Sequence, residues 1–203
     1  MNIENRLSND ETLLRQFVSP NLYVYFRLKV PELEPAELKS RLTELTKFLL
    51  MSHQFPGNIL FGRDLDDLWH LWIMQTRQYD AFCRATEAGR LIHHDSNDYP
   101  KEHLSWGDAE QLAASMKAEK EVLGPVRPPP PVDTPEFQEN LKRVLSFFTS
   151  YVLSFGPLKA ENVKYWPPVD RMLRRLNWSV DDFNAFLLAQ ANAASARSEP
   201  AHA

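Results

Sequence analysis

Asp66, His70 and Arg77 are the residues of this chain whose types and spacing most readily suggest chemistry. At about 100° per residue, steps of four and seven nearly complete whole helical turns, so the three share a stripe if Asp64 to Cys83 is helical. A carboxylate and an imidazole four residues apart can meet, and the carboxylate then fixes the ring's tautomer or raises its pKa toward neutrality. Past Gly89, where the chain can reverse, come His93, His94 and Asp95. His70, His93 and His94 would supply nitrogen ligands, and Asp66 or Asp95 an oxygen, for a divalent zinc or iron ion with one position open to substrate. In that reading His70 and Asp66 are the candidate catalytic residues, working as acid or base or through a metal-activated water. Arg77, with Trp69 and Tyr79, would hold a small ligand, the guanidinium clamping a carboxylate.

Each residue also has a purely structural use. Asp66 and His70 make an ordinary i, i+4 pair, and a His-His pair in a polar loop is often only solvated. Trp69 and Trp72 at helical spacing suit a core as well as a stacking platform. Tyr79 and Cys83 can pack inward, where a thiol is inert, and Arg77 can pair with Asp66 or Asp80. It is the concentration of these groups in about thirty residues that marks the region. The familiar enzyme signatures are missing: no Gly-rich phosphate loop, CxxC, HExxH or Gly-x-Ser-x-Gly occurs.

The elements that must position these groups read as helices. Leu38, Leu42, Leu45 and Leu49 follow Pro35 on one helical face that ends before Pro56-Gly57. Asp64 offers an N-cap, and Leu65, Leu68, Trp69, Trp72, Ile73, Tyr79 and Cys83 predict one helix running to Gly89. Ser105 with Asp108 starts a helix that stops at Gly124, and Pro128 to Pro131 form a stiff spacer. Thr134-Pro135-Glu136 opens a helix with Phe137, Leu141, Val144, Leu145, Phe148, Val152 and Phe155 on its apolar face, ended by Gly156-Pro157. Trp166-Pro167-Pro168 breaks the chain, a short helix carries Met172, Leu173 and Leu176, and Ser179 with Asp182 caps a last helix bearing Phe183 and Leu187. Asn21 to Lys29, with Leu22, Val24, Phe26 and Leu28 alternating, reads as extended or irregular.

The expected fold is all-α, a compact multi-helix bundle with a Pro-rich connection before its C-terminal helices. Residues 1–190 would form one domain and 191–203 a flexible tail; the alternative is an N-terminal subdomain at 1–124 and a helical one at 133–190. The 203 residues are 43% apolar and 11% aromatic, ordinary for a folded domain. A net charge of -4 leaves no broad basic surface for nucleic acid, and Arg171, Arg174 and Arg175 read as a solvated face. The polar opening holds no secretory signal, and no apolar run is long enough for a membrane. The single Cys83 suits the reducing cytoplasm.

From Leu38 to Tyr99 the chain resembles the N-terminal domain of unknown function of plant glycine-rich-domain-containing proteins and their short bacterial relatives. That family's helix reads roughly Val-Asp-Glu-x-Trp-His-x-His-Ile-Leu-x-Thr-Arg-x-Tyr-x-x-x-Cys, followed by Gly-x-Phe-x-His-His. Asp66, Trp69, His70, Ile73, Thr76, Arg77, Tyr79, Cys83, Gly89, His93 and His94 match it. Trp72 stands where the family has its second helical histidine, which removes a possible ligand. The glycine-rich and RNA-binding parts of the plant members have no counterpart here. The resemblance implies an all-helical domain with a polar site around His70, and no established activity. Two functions are therefore weighed: a small-ligand or metal site, with catalysis as one use of it, and a protein interaction module in which Trp166, Trp178 and the proline run face a partner and the histidines are structural.

Overall fold

The computed structural model describes residues 10–55, 61–87, 89–94, 105–123 and 134–198, which are all-α. By compactness they form two units, one of residues up to Ile92 together with those from Leu141 onward, the other from His93 to Asn140.

Local helix-start chemistry explains most of the first unit. Helix α1 spans Asp10–Phe17 and α2 spans Pro20–Lys29. The Ser19 hydroxyl accepts the Leu22 N–H at 3.2 Å, and Pro20 sits in the first turn, where its missing N–H costs nothing. The extended reading of Asn21 to Lys29 is thus corrected. Leu22 and Phe26, four apart, are buried, whereas Val24 and Leu28 face solvent. Their every-second-residue pattern therefore marks the two sides of a helix and no strand.

Helix α3, Pro35–Met51, starts on its proline as expected and runs into a short 3-10 turn, Ser52–Gln54. Every residue from Leu42 to Leu49 is buried, so this helix is surrounded and carries Thr43, Glu44, Thr46 and Lys47 into the interior. It packs against α1, against α4 (Arg63–Met74) and against a 3-10 segment, Ala160–Tyr165.

The single helix expected from Asp64 to Gly89 is two. Helix α4 stops at Met74, and α5 spans Thr76–Ala85. Gln75, at φ −89° and ψ 61°, turns the chain between them while its N–H still reaches the Trp72 carbonyl at 2.9 Å. The corner lets Leu65, Leu68, Trp69 and Trp72 on one side and Tyr79, Phe82 and Cys83 on the other all be buried. The N-cap is Gly62 and not Asp64; its N–H donates to the Tyr165 carbonyl at 2.7 Å. Asp64 and Asp66 lie in the first turn, where the helix dipole favours carboxylates.

Helix α7, Pro135–Phe155, ends at Gly156 with φ +87°. Phe148, Val152 and Phe155 are buried as its pattern predicts, Leu141, Val144 and Leu145 are half-buried, and Phe147 and Tyr151 join the core as well. The Phe137 side chain and Pro128 to Pro131 lie outside the described residues. The Phe147 ring centroid lies 5.4 Å from Phe55 and 6.1 Å from Phe48, and Trp166 lies 5.2 Å from Phe148. Pro167 and Pro168 do not merely break the chain: they occupy the first turn of α8, Pro167–Leu176, which ends on Asn177 in the left-handed region, φ 53°. Of that helix's expected apolar residues, Leu173 is buried and Leu176 exposed. Helix α9, Val180–Ser198, begins with the expected box: the Ser179 hydroxyl accepts the Asp182 N–H at 3.1 Å, and the Asp182 carboxylate accepts the Ser179 N–H at 2.8 Å. It runs through Ala191–Ser198, where a frayed tail was expected.

In the second unit, α6 spans Trp106–Leu123 and starts on the predicted Ser105 cap, whose hydroxyl accepts the Asp108 N–H at 3.2 Å.

Candidate functional site

The first turns of α4 set the geometry around His70. Its Nδ1 lies 2.8 Å from the Asp66 backbone carbonyl and 3.5 Å from the Asp66 carboxylate. A carbonyl oxygen only accepts, so Nδ1 carries the proton and Nε2 the lone pair, the tautomer a metal or an incoming acid can use. The ring is exposed and Asp66 half-buried.

The histidine pair opens the second unit, with His93 exposed and His94 half-buried. Asp95 lies outside the described residues. Arg77 loses the register that was to place it on the His70 stripe, because the helix turns at Gln75; it stands exposed in the first turn of α5.

Trp69 and Tyr79, candidate ligand contacts in the sequence, are buried with their polar atoms engaged. The Trp69 indole N–H donates to the Tyr79 hydroxyl at 2.9 Å, and that hydroxyl donates to the Ile92 carbonyl at 2.7 Å. The Ile92 N–H in turn donates to the Cys83 sulfur at 3.5 Å. Burial pushes both the Tyr79 hydroxyl and the Cys83 thiol above their ordinary pKa. Trp72 is fully buried against Phe26 and Phe82, with its indole N–H lacking a partner among the described residues. The position that holds the second helical histidine in the resembled family therefore faces the core in this chain, away from exposed His70.

Sequence reasoning missed the most heavily bonded polar group of the first unit. Glu44, fully buried, accepts from Lys47 at 3.0 Å, Tyr151 at 2.8 Å, Asn162 at 2.9 Å and Trp166 at 2.9 Å. Lys47 also pairs with Asp10 at 2.8 Å. Burial and the Glu44 charge drive the Tyr151 hydroxyl well above its ordinary pKa. The Asp10 carboxyl is pushed up by burial but held below its usual value by hydrogen bonds from Lys159 and Lys47. This arrangement corrects the docking surface assigned to Trp166, which is core; Trp178 is half-buried against Phe186 at 5.1 Å. No sequence signal announced it, because Thr43, Glu44, Thr46 and Lys47 give this helix the polar side that a surface helix would also carry. Beside this network lies a cleft of about 940 Å³ with Asp10, Glu37, Ser40, Thr43, Lys159 and Asn162 among its walls; Asp66 and His70 do not line it. On its rim, burial favours protonation of Glu37, but hydrogen bonds from Lys164, Arg41 and Tyr165 hold the carboxyl at about 2.

A family model matches residues 9–129, which contain Asp66, His70 and His94. The chain belongs to the UCP032817-like family. No activity is established for this family, so membership accounts for the shared sequence and leaves the chemistry to be argued from the site. No curated protein and no solved structure matches the chain. No helix among the described residues is long and apolar enough to cross a membrane.

Proposed function

We propose that this UCP032817-like protein binds a divalent metal, zinc or ferrous iron, at Asp66 and His70, leaving coordination positions for water or a small ligand. The reading is carried by the His70 ring, whose Nδ1–H is directed to the Asp66 carbonyl while the Asp66 carboxylate stands 3.5 Å away. Fixing one ring nitrogen on a carbonyl is how proteins orient a metal-binding histidine. So few protein ligands suit a reactive metal better than a closed structural one, so a metal-activated water is the chemistry that follows. Arg77, exposed in the first turn of α5, belongs to this proposal only as a contact for the incoming ligand. The likeness to the plant glycine-rich-domain-containing proteins and a cytoplasmic setting are part of the same reading, supported by the shared histidine motif and by the single buried Cys83.

Calorimetric titration of metal-stripped protein with zinc, and separately with ferrous iron under argon, tests it. The expected result is one ion per chain, lost in His70→Ala and weakened in Asp66→Ala. Without metal, His70→Ala should change stability by only about 0.2–0.5 kcal/mol, the worth of an exposed i, i+4 pair. Absence of saturable binding of either metal would overturn the reading.

A further inference from the structure

The cleft of about 940 Å³ beside the Glu44 network is lined by residues of the first unit alone. Its lining divides by chemistry. Leu14, Val18, Pro20 and Tyr23, from α1, the link after it and α2, offer apolar surface, whereas Ser40 and Thr43 of α3 and Asn162 of the Ala160–Tyr165 segment are polar. The polar part is held from behind. Asn162, 4% exposed, accepts from the Ser40 hydroxyl at 3.1 Å and donates to buried Glu44 at 2.9 Å, so its amide cannot turn without breaking a buried bond. Thr43 is 5% exposed, yet its hydroxyl has no hydrogen-bond partner among the described residues, unlike that of Thr46, which donates to the Leu42 carbonyl at 2.7 Å. The Thr43 oxygen is not sealed from solvent, and the cleft is where it meets a ligand. Most charged residues of the lining are engaged with one another: Lys159 with Asp10 at 2.5 Å, Lys164 with Glu37 at 2.8 Å and Arg15 with Glu11 at 2.6 Å. Lys39 of α3 and Glu161 of the 3-10 segment are not; neither makes an ion pair or a hydrogen bond among the described residues.

We infer that this cleft binds a small zwitterion with an apolar body, an amino acid or short peptide carrying aliphatic or aromatic side chains. The carboxylate goes to Lys39 and the Thr43 hydroxyl, the ammonium to Glu161, and the side chain to Leu14, Val18 and Tyr23. One unpaired charge of each sign in the lining selects this class. A simple anion would set its charge against Glu161, a simple cation against Lys39, and a neutral apolar compound would leave the buried Thr43 hydroxyl unmatched. A cleft of this size admits a drug-sized molecule, so a free amino acid and a dipeptide, which share the chemistry, both fit. The site is separate from the metal reading, since neither Asp66 nor His70 lines the cleft.

The test titrates the full-length protein with L-leucine and, separately, with leucyl-leucine, followed by amide NMR shifts. The expected result is saturable binding of at least one probe with a Kd at or below about 1 mM, its shifts gathered at residues lining the cleft. The tighter probe identifies the source, free amino acid or peptide. Lys39→Gln and Glu161→Gln, both at exposed positions, should each weaken that probe by about threefold to tenfold without moving the urea midpoint, as one lost charged contact predicts. Thr43→Val, which keeps the side chain's shape and removes the hydroxyl, should weaken it by a similar factor. No saturation by either probe, shifts gathered away from the cleft, or wild-type affinity in either charge variant overturns the inference. So does 4-methylpentanoate, which is leucine without its ammonium, binding as tightly as the better probe, because the cleft would then be reading an anion alone. Zinc binding or its failure bears on the His70 site and leaves these outcomes unchanged.

Discussion

Replacing Glu44 by glutamine changes almost no volume and removes one charge, so its cost can be worked from the hydrogen bonds alone. One carboxylate oxygen accepts from Lys47, Tyr151 and Asn162, and the other from Tyr151 and Trp166. Glutamine keeps one acceptor oxygen and puts an NH₂ group in place of the other. If the NH₂ faces Trp166, two donors oppose each other and the indole N–H is orphaned, at about 1–3 kcal/mol. In either orientation Lys47, only 3% exposed, loses its fully buried counter-charge and keeps the part-exposed Asp10. The charge-assisted bond is worth about 1.5–3 kcal/mol. The two losses together come to about 2.5–6 kcal/mol, which brackets the cost of removing one partner of a buried ion pair. Against a total stability of about 5–15 kcal/mol, that is a large fraction. Urea unfolding followed by tryptophan fluorescence reads it directly, since Trp69, Trp72 and Trp166 are all buried. Lys47→Met and the double variant complete a cycle, in which the pair should show a coupling of at least about 1 kcal/mol. A Glu44→Gln cost below about 1 kcal/mol, or additive single effects, would refute the view that this network is a stability centre of the first unit.

Further outcomes are expected at other positions. Glu37 has its folded pKa held near 2 against an ordinary 4.5, so its contribution is present above about pH 4.5 and is lost as the pH falls toward 2. After screening at this part-exposed rim it is worth about 1 kcal/mol, and Glu37→Gln should flatten that part of the acid limb of a stability–pH curve; an unchanged limb would contradict the assignment. Cys83, fully buried with its thiol pushed up by burial, should react with Ellman's reagent at a rate that tracks unfolding, and fast labelling in native buffer would show the packing to be wrong. Gly156→Ala should cost about 1–2 kcal/mol by chemical denaturation, because φ is +87° while an added Cβ meets nothing within 4 Å, so the penalty is purely of the backbone; a neutral substitution would exclude that cause.

Helix identity was legible wherever a capping residue or an N-terminal proline announced it. Pro35, Ser105, Pro135 and Ser179 all start helices where their chemistry says they should. Ser19-Pro20 carried the same signal for α2, and it was outweighed by an alternation of apolar residues that a ten-residue helix can also show. The corner at Gln75 was not legible, because no glycine or proline marks it and the apolar spacing continues across it; only the demand that both faces be buried produces the turn. Around the site, the Asp66–His70 pair is local and could be read from spacing. The bonding of Trp69, Tyr79 and Ile92 could not, since it depends on the corner at Gln75. Nor could the Glu44 cluster, whose partners lie far along the chain and become neighbours only in the folded unit.

That distance has a consequence for synthesis on the ribosome. Glu44 is separated from Tyr151 by 107 residues, from Asn162 by 118 and from Trp166 by 122. At about 5–20 residues per second, α3 waits roughly 6–24 s after its own emergence before its last partner is made. In thermodynamic terms the intervening chain matters little, because doubling a loop adds only about 0.6 kcal/mol to closing it. In kinetic terms it leaves Leu42, Leu45, Phe48 and Leu49 without the covering that α7 and the Ala160–Tyr165 segment provide in the finished unit. Glu44 and Lys47 then have a second use: beside Thr43 and Thr46, they keep one side of the nascent helix wetted until Trp166 arrives.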